Sequence, residues 1–152
     1  MVCKRRNAFT LIEVLIVVII MAVLAATIIP QFSSSTNDAK LSSVKFNLRT
    51  IRAQVEMYKI HHNGSVPALA TFADQMTGTT NSSGAVGTGT GYTYGPYFQG
   101  QVPANPYNNL NTLKTTTATT EADAKAAVDG GSGWLYNATT GDFFANNSEY
   151  YQ

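Results

Sequence analysis

The chain has 152 residues, the length of one ordinary domain, with a net charge of +1, 44% apolar and 12% charged residues, and one cysteine, Cys3. A lone cysteine excludes an intrachain disulfide scaffold, and so small a net charge excludes a compact basic nucleic-acid binder. Charged residues fall well short of the usual ~quarter, so the surface is small, unusually neutral or partly in lipid.

The composition is uneven along the chain. Lys4, Arg5 and Arg6 crowd the first eight residues without an acid, whereas all 12 glycines lie at or beyond Gly64. From Phe9 to Ile29 the chain runs FTLIEVLIVVIIMAVLAATII, 21 residues with one charge, Glu13. As a helix this spans ~31 Å, close to the ~30 Å hydrocarbon core of a bilayer. The rest of the chain is too small to bury a helix so uniformly apolar. A cleaved secretory signal is the competing reading, but its apolar region is ~7 to 15 residues long and ends in a small-x-small cleavage pattern. Ala25 and Ala26 are the nearest candidates for one, and Cys3 lies on the wrong side of the apolar run for a lipoprotein. Lys and Arg tie at three on each side of the span, with Lys40, Lys45 and Arg49 beyond it. The leader's three are closer to the span and undiluted by acid, which predicts residues 1–8 on the cytoplasmic side. Glu13 either reaches the headgroups or marks function, because a carboxylate within a span costs ~2.5 to 3.5 kcal/mol on insertion scales.

KRRNAFTLIEVLIVVIIMAVLAATIIPQF resembles the N-terminal signature of the type IV pilin and type II secretion pseudopilin superfamily. The likeness lies in the basic leader, the small Ala8, then Phe9, Thr10 and Glu13, and Pro30 after the apolar half-helix. Ala8 departs from the family's usual glycine but keeps the small size. The resemblance implies that a prepilin peptidase cuts between Ala8 and Phe9 and methylates the new amine of Phe9. It also implies that the Glu13 carboxylate pairs with the Phe9 amine of a neighbouring subunit and sets the register of assembly.

Beyond Pro30, Leu41, Val44, Leu48, Ile51, Val55 and Tyr58 recur at helical spacing. Phe46, Ala53, Met57 and Ile60 form a second apolar stripe on roughly the opposite side. One stripe is expected to pack on the chain's own C-terminal sheet, the other to join neighbouring helices in a filament; a dimeric coiled coil is the plainer alternative. Pro30 leaves two readings open, one bent helix of ~80 Å or two helices with Ser35 or Thr36 capping the second. The resemblance favours the single helix, and Gly64 suits a left-handed cap at its end. His61 and His62 are neighbours, ~100° apart on a helix, and are read as solvated helix-end residues.

Residues 64–152 hold two basic and six acidic residues and read as a loop-rich head. A short helix is predicted from Ala68 to Met76, followed by a flexible loop from Thr77 to Gly91 with no phosphate-binding glycine motif. Tyr94 to Asn109 carries Pro96, Pro103 and Pro106, a rigid irregular connection whose Gly-Pro-Tyr and Asn-Pro turns resemble major pseudopilin heads. Strand-like sequence runs from Leu110 to Ala118. A helix from Glu121 to Val128 is expected to be capped by Thr120 and closed by Gly130. Trp134 to Asn146 reads as a β-hairpin whose turn ends in Gly141, with Trp134 and Tyr136 on one face and Leu135 on the other.

The expected fold is therefore α+β: a long N-terminal helix packed on a small antiparallel sheet. Its expected divisions are a leader at 1–8, a membrane half of the helix at 9–30, an amphipathic half at 31–63 and a periplasmic head at 64–152. No catalytic constellation is found, so an enzyme is not expected. The family resemblance implies a calcium-binding C-terminal loop, for which Asp123, Asp129, Asp142 and Glu149 are the available acids. Their spacing does not establish such a site, and surface acids without a metal are the plainer reading. The tyrosines Tyr92, Tyr94, Tyr97, Tyr107, Tyr150 and Tyr151 suggest either a sugar-binding module on a membrane anchor or, more plainly, an aromatic core. The preferred expectation is a pseudopilus subunit of type II secretion, stored in the bacterial inner membrane and moving exported proteins; an adhesion, motility or DNA-uptake pilin is the alternative. The implied partners are other copies of the chain, minor pseudopilins, the prepilin peptidase, an inner-membrane platform, a cytoplasmic ATPase and membrane lipid, with no nucleic acid.

Overall fold

The computed structural model describes residues 9–152, with the backbone alone at 29–34. The chain forms two units, one ending at Ala39 and one running Lys40–Gln152. Helix α1 (Leu11–His61) contributes to both, and of the two readings at Pro30 the single helical element is the one found. It closes as expected at Gly64, whose N–H donates to the Lys59 carbonyl at 2.8 Å while Asn63 and Gly64 take φ of 56° and 87°. Glycine meets that conformation without a Cβ penalty.

Within the second unit, α1 buries Val44, Leu48, Ile51, Val55 and Tyr58. These are five of the six positions in the helical repeat; Leu41, at its start, is half-buried. Each such side chain contributes ~1.5 to 3 kcal/mol when taken from water. They share one core with Phe72 and Met76 of α2 (Phe72–Thr77), which follows a 3-10 turn at Leu69–Thr71.

Three short strands complete that core: β1 (Leu113–Thr115), β2 (Trp134–Tyr136) and β3 (Phe143–Ala145), in the order β1-β2-β3. β2 and β3 form the expected antiparallel hairpin, registered Trp134↔Ala145, with Gly141 at φ 87° ending its turn. Alternation holds too. Trp134, Tyr136, Phe143 and Ala145 face α1, whereas Leu135 and Phe144 join Ala118 and Ala124 in a second cluster.

The class is α+β as expected, but the sheet is mixed rather than wholly antiparallel, because β1 runs parallel to β2 from Leu113↔Trp134. Helix α3 (Glu121–Ala127) lies between them and carries the chain back to the end where β1 began, as a parallel pair requires. The Thr120 hydroxyl caps α3 by accepting from the Asp123 N–H.

The segment from Thr77 to Gly91 is tied down by hydrogen bonds, unlike the flexible loop its composition suggested. Thr80 bridges to Val86 and Tyr94, and the Asn81 side-chain oxygen accepts from the N–H groups of Ser83 and Ala85 at 3.0 Å each. Farther on, buried Asn105 donates to the Gly133 carbonyl at 2.8 Å and accepts from the Tyr107 N–H at 3.0 Å. Gly133 is irreplaceable there, since a Cβ would stand 1.9 Å from the Leu110 carbonyl oxygen.

Two side chains fasten β3 to its surroundings. Arg52 of α1 donates from Nε and Nη2 to the Phe143 carbonyl at 2.9 and 2.6 Å and pairs with Glu121 at 2.9 Å. The Tyr151 hydroxyl, in a terminal 3-10 turn (Ser148–Tyr151), donates to the Ala145 carbonyl at 3.0 Å.

Candidate functional site

The first candidate feature is the start of α1. Leu11–Ile28 has a mean hydropathy of 3.0 over 18 residues, none of them buried, so it is long and apolar enough to cross a membrane. Phe9 stands exposed at its head, while Ala8 lies outside the described residues. Glu13 is not left bare. Its Oε2 accepts from the Thr10 N–H and the Thr10 hydroxyl, each at 2.8 Å, and the Thr10 hydroxyl oxygen lies 3.3 Å from the Glu13 N–H. This is a capping box: the carboxylate satisfies a backbone donor that the first helical turn leaves unpaired, and its negative charge meets the positive end of the helix dipole. Sequence reasoning gave Thr10 no such part, although the Thr-x-x-Glu spacing is its signal. Oε1 takes no part in the box.

The second feature is the outer face of α1 in the Lys40–Gln152 unit. Phe46, Met57 and Ile60 are 68%, 45% and 74% exposed, on the side opposite the buried stripe, with Ala53 exposed between them. Lys45 and Arg49, also exposed, flank Phe46. One helix thus carries a filled apolar stripe and an open one.

The remaining sequence candidates divide. His62 is a correction: it is buried rather than solvated, stacked on Tyr58 with ring centroids 3.8 Å apart. Its Nδ1 lies 2.8 Å from the Tyr58 carbonyl and its Nε2 3.0 Å from the Thr80 hydroxyl. Nδ1 therefore carries a proton, since a carbonyl only accepts. His61 is half-buried, with Nδ1 2.9 Å from the Tyr97 hydroxyl and its ring stacked on Tyr94. Both histidines are held by a loop distant in sequence, which a helical-wheel reading does not reveal. Tyr97 is buried, and Tyr92, Tyr94, Tyr107, Tyr150 and Tyr151 are half-buried, as an aromatic core predicts.

The acids named for calcium do not converge. Among the described residues no group of three or more His, Cys, Asp or Glu side chains is placed to hold a metal ion. Asp123 accepts from the Thr120 hydroxyl at the start of α3, and Asp142 accepts from the Thr140 hydroxyl in the hairpin turn. Asp129 lies between α3 and β2, bound to Lys114, Asn146 and the Gly131 N–H, and these bonds, that of Lys114 foremost, hold its carboxyl far below the usual range.

Residues 3–29 match the prokaryotic N-terminal methylation motif. The chain is 39% identical over 57 residues to the type II secretion system core protein G of Pseudomonas aeruginosa, a match covering 38% of this chain and 40% of that protein. The protein of the same name from Aeromonas hydrophila is 24% identical over 106 residues, covering 70% of this chain and 71% of the relative. A type IV narrow pilus major component of Thermus thermophilus is 29% identical over 79 residues, or 52% of this chain and 68% of its own. The chain thus spans about two fifths of the Pseudomonas relative's length but more than two thirds of the other two. No solved structure matches it. The methylation motif, the long apolar helix and the α+β head are together what makes this chain similar to the G-type pseudopilins of type II secretion and to a type IV pilus subunit.

Proposed function

We propose that this chain is a structural, non-enzymatic subunit of a pseudopilus, polymerising through its N-terminal helix to drive protein export in type II secretion. Residues 1–8 serve as a cytoplasmic leader, 9–30 as the membrane half of the helix, 31–63 as its amphipathic half and 64–152 as a periplasmic head. A prepilin peptidase removes the leader between Ala8 and Phe9 and methylates the Phe9 amine. The observation that carries this reading is an apolar helix uncovered by its own chain and bearing one carboxylate, Glu13. Such a helix is stable in lipid, and it can leave lipid only for a protein surface that covers it equally well and matches its charge.

Assembly then uses Phe9, Glu13, Pro30 and the open stripe at Phe46 and Met57. Minor pseudopilins, an inner-membrane platform and a cytoplasmic ATPase act with it, since the chain has no motor of its own, and the reading needs no cofactor. Phe46→Asp and Met57→Asp are each expected to cut filament yield ~10-fold or more, the weight of a residue at an interface centre, while leaving the melting temperature within ~1 °C. A large fall in melting temperature would instead assign the stripe to the head's own core.

The function itself is tested in a strain lacking this chain. Protein secretion and periplasmic filaments should both disappear. Intact secretion with loss of surface filaments, or of adhesion, motility or DNA uptake, would favour the pilin reading, which the Thermus pilus match supports.

A further inference from the structure

The family resemblance raises the expectation of calcium in a C-terminal loop; Asp129, between α3 and β2, is one of the acids available for it, and the donor chemistry around it can be read directly. Calcium takes six to eight oxygen ligands at ~2.3 to 2.6 Å. Around Asp129 the partners are nitrogens. Its Oδ2 receives the Lys114 Nζ at 2.6 Å, and its Oδ1 receives the Asn146 Nδ2 at 2.7 Å and the Gly131 N–H at 3.1 Å. Asn146, fully buried, turns its own oxygen to the N–H groups of Asp129 and Gly130 at 2.9 and 3.2 Å, and its Nδ2 also donates to the Ser132 hydroxyl oxygen at 2.8 Å. Both carboxylate oxygens of Asp129 and the side-chain oxygen of Asn146 therefore already face N–H protons. A divalent ion at Asp129 would have to displace those donors and sit beside an ammonium. The residues present do not fit calcium.

The position of Lys114 follows from the topology. β1, α3 and β2 make a parallel crossover, and Lys114 is registered with Leu135, whose side chain packs with Ala124 of α3. Leu113, next along the strand, packs on the opposite side against the main core. Strand alternation thus sends Lys114 to the α3 side of the sheet, where the chain returns through Asp129. We propose that the Lys114 ammonium is the built-in counter-ion of this return loop, binding the first strand of the crossover to its exit and making the head's stability independent of calcium.

This inference rests on the family reading only for the expectation of calcium. Its readout is unfolding rather than filament assembly or secretion, so failure here and failure of the proposed function are distinguishable. The test is thermal unfolding of the full-length chain in detergent micelles, in 1 mM calcium chloride or 1 mM EGTA (both ~), for the wild type, Lys114→Met and Lys114→Arg. The wild type should melt within ~1 °C in the two conditions, Lys114→Met should melt ~2 to 4 °C lower in both, and Lys114→Arg should recover most of that loss. A wild-type melting temperature that rises with calcium would overturn the proposal. So would Lys114→Met melting with the wild type, or Lys114→Arg melting no higher than Lys114→Met.

Discussion

Glu13→Ala is expected to leave the chain inserted in the membrane and to abolish filament assembly, and Glu13→Gln is expected to abolish it as well. The pair of variants separates two roles of one side chain. The Glu13 oxygen that accepts from the Thr10 N–H is one half of the capping box at the first turn, and a glutamine oxygen accepts in the same way. In the assembly proposed above, the negative charge is what pairs with a neighbouring subunit's Phe9 amine, and glutamine lacks it. In a medium of low dielectric the attraction of opposite charges over several ångströms far exceeds its value in water, so this is the larger effect. Thr10→Val keeps the charge and removes the hydroxyl donor; it is expected to reduce assembly by less than ~10-fold, the scale of one lost cap. Filament counts from the three variants at matched membrane levels decide the matter. If Glu13→Gln assembles like the wild type, the carboxylate serves the helix end rather than the neighbour.

Trp134→Ala is expected to remove most of the head's stability. Trp134 is completely buried, its ring centroid 5.9 Å from that of Phe143, and its indole N–H donates to the Pro103 carbonyl at 2.8 Å. Truncation at such a site costs ~3 to 5 kcal/mol for lost transfer and the cavity left behind. The abandoned Pro103 carbonyl adds ~1 to 3 kcal/mol wherever water does not reach it. Domains of this size have ~5 to 15 kcal/mol to lose. Trp134→Phe keeps the ring but not the donor and should sit between the two. Thermal unfolding of the full-length chain measures all three, and a Trp134→Ala melting temperature within ~3 °C of the wild type would contradict the assignment of this residue to the centre of the core.

What the sequence makes legible here is whatever repeats locally. The spacing of Val44, Leu48, Ile51, Val55 and Tyr58 names the buried stripe because a helix returns to one face every 3.6 residues. The hairpin and its Gly141 turn are legible for the same reason at period two, and Thr120 announces α3 through its capping chemistry. Long-range relations are not legible. The direction of β1 depends on where α3 returns the chain, and three residues of strand propensity carry no direction. The burial of His62 depends on Thr80, which reaches it from a loop whose glycines and threonines suggest mobility. Asn81, Asn105, Asn137 and Asn146 organise their loops by accepting backbone N–H bonds, but an asparagine in a polar stretch looks the same whether it does so or faces water. At the candidate site the carboxylate stands out from sequence because it is expensive in lipid. Its partner Thr10 is inconspicuous because a threonine before a helix is ordinary.

The two bonds that fasten β3 have a further consequence. The Asp142 carbonyl accepts from the Asn137 N–H, and the Asn146 N–H donates to the Gly133 carbonyl, so residues 142 and 146 of this arm point toward β2. By alternation Phe143 and Ala145 turn their backbone groups outward, along the free edge of the sheet. An open edge of this kind is a template for any other chain's strand, and copies held side by side on a membrane, as proposed above, would meet one another constantly. Here Arg52 and Tyr151 cover those two outward carbonyls with side-chain donors. The arrangement hinders the heads from zipping edge to edge into aggregates, and leaves the helices as the surface through which copies would join in the proposed filament.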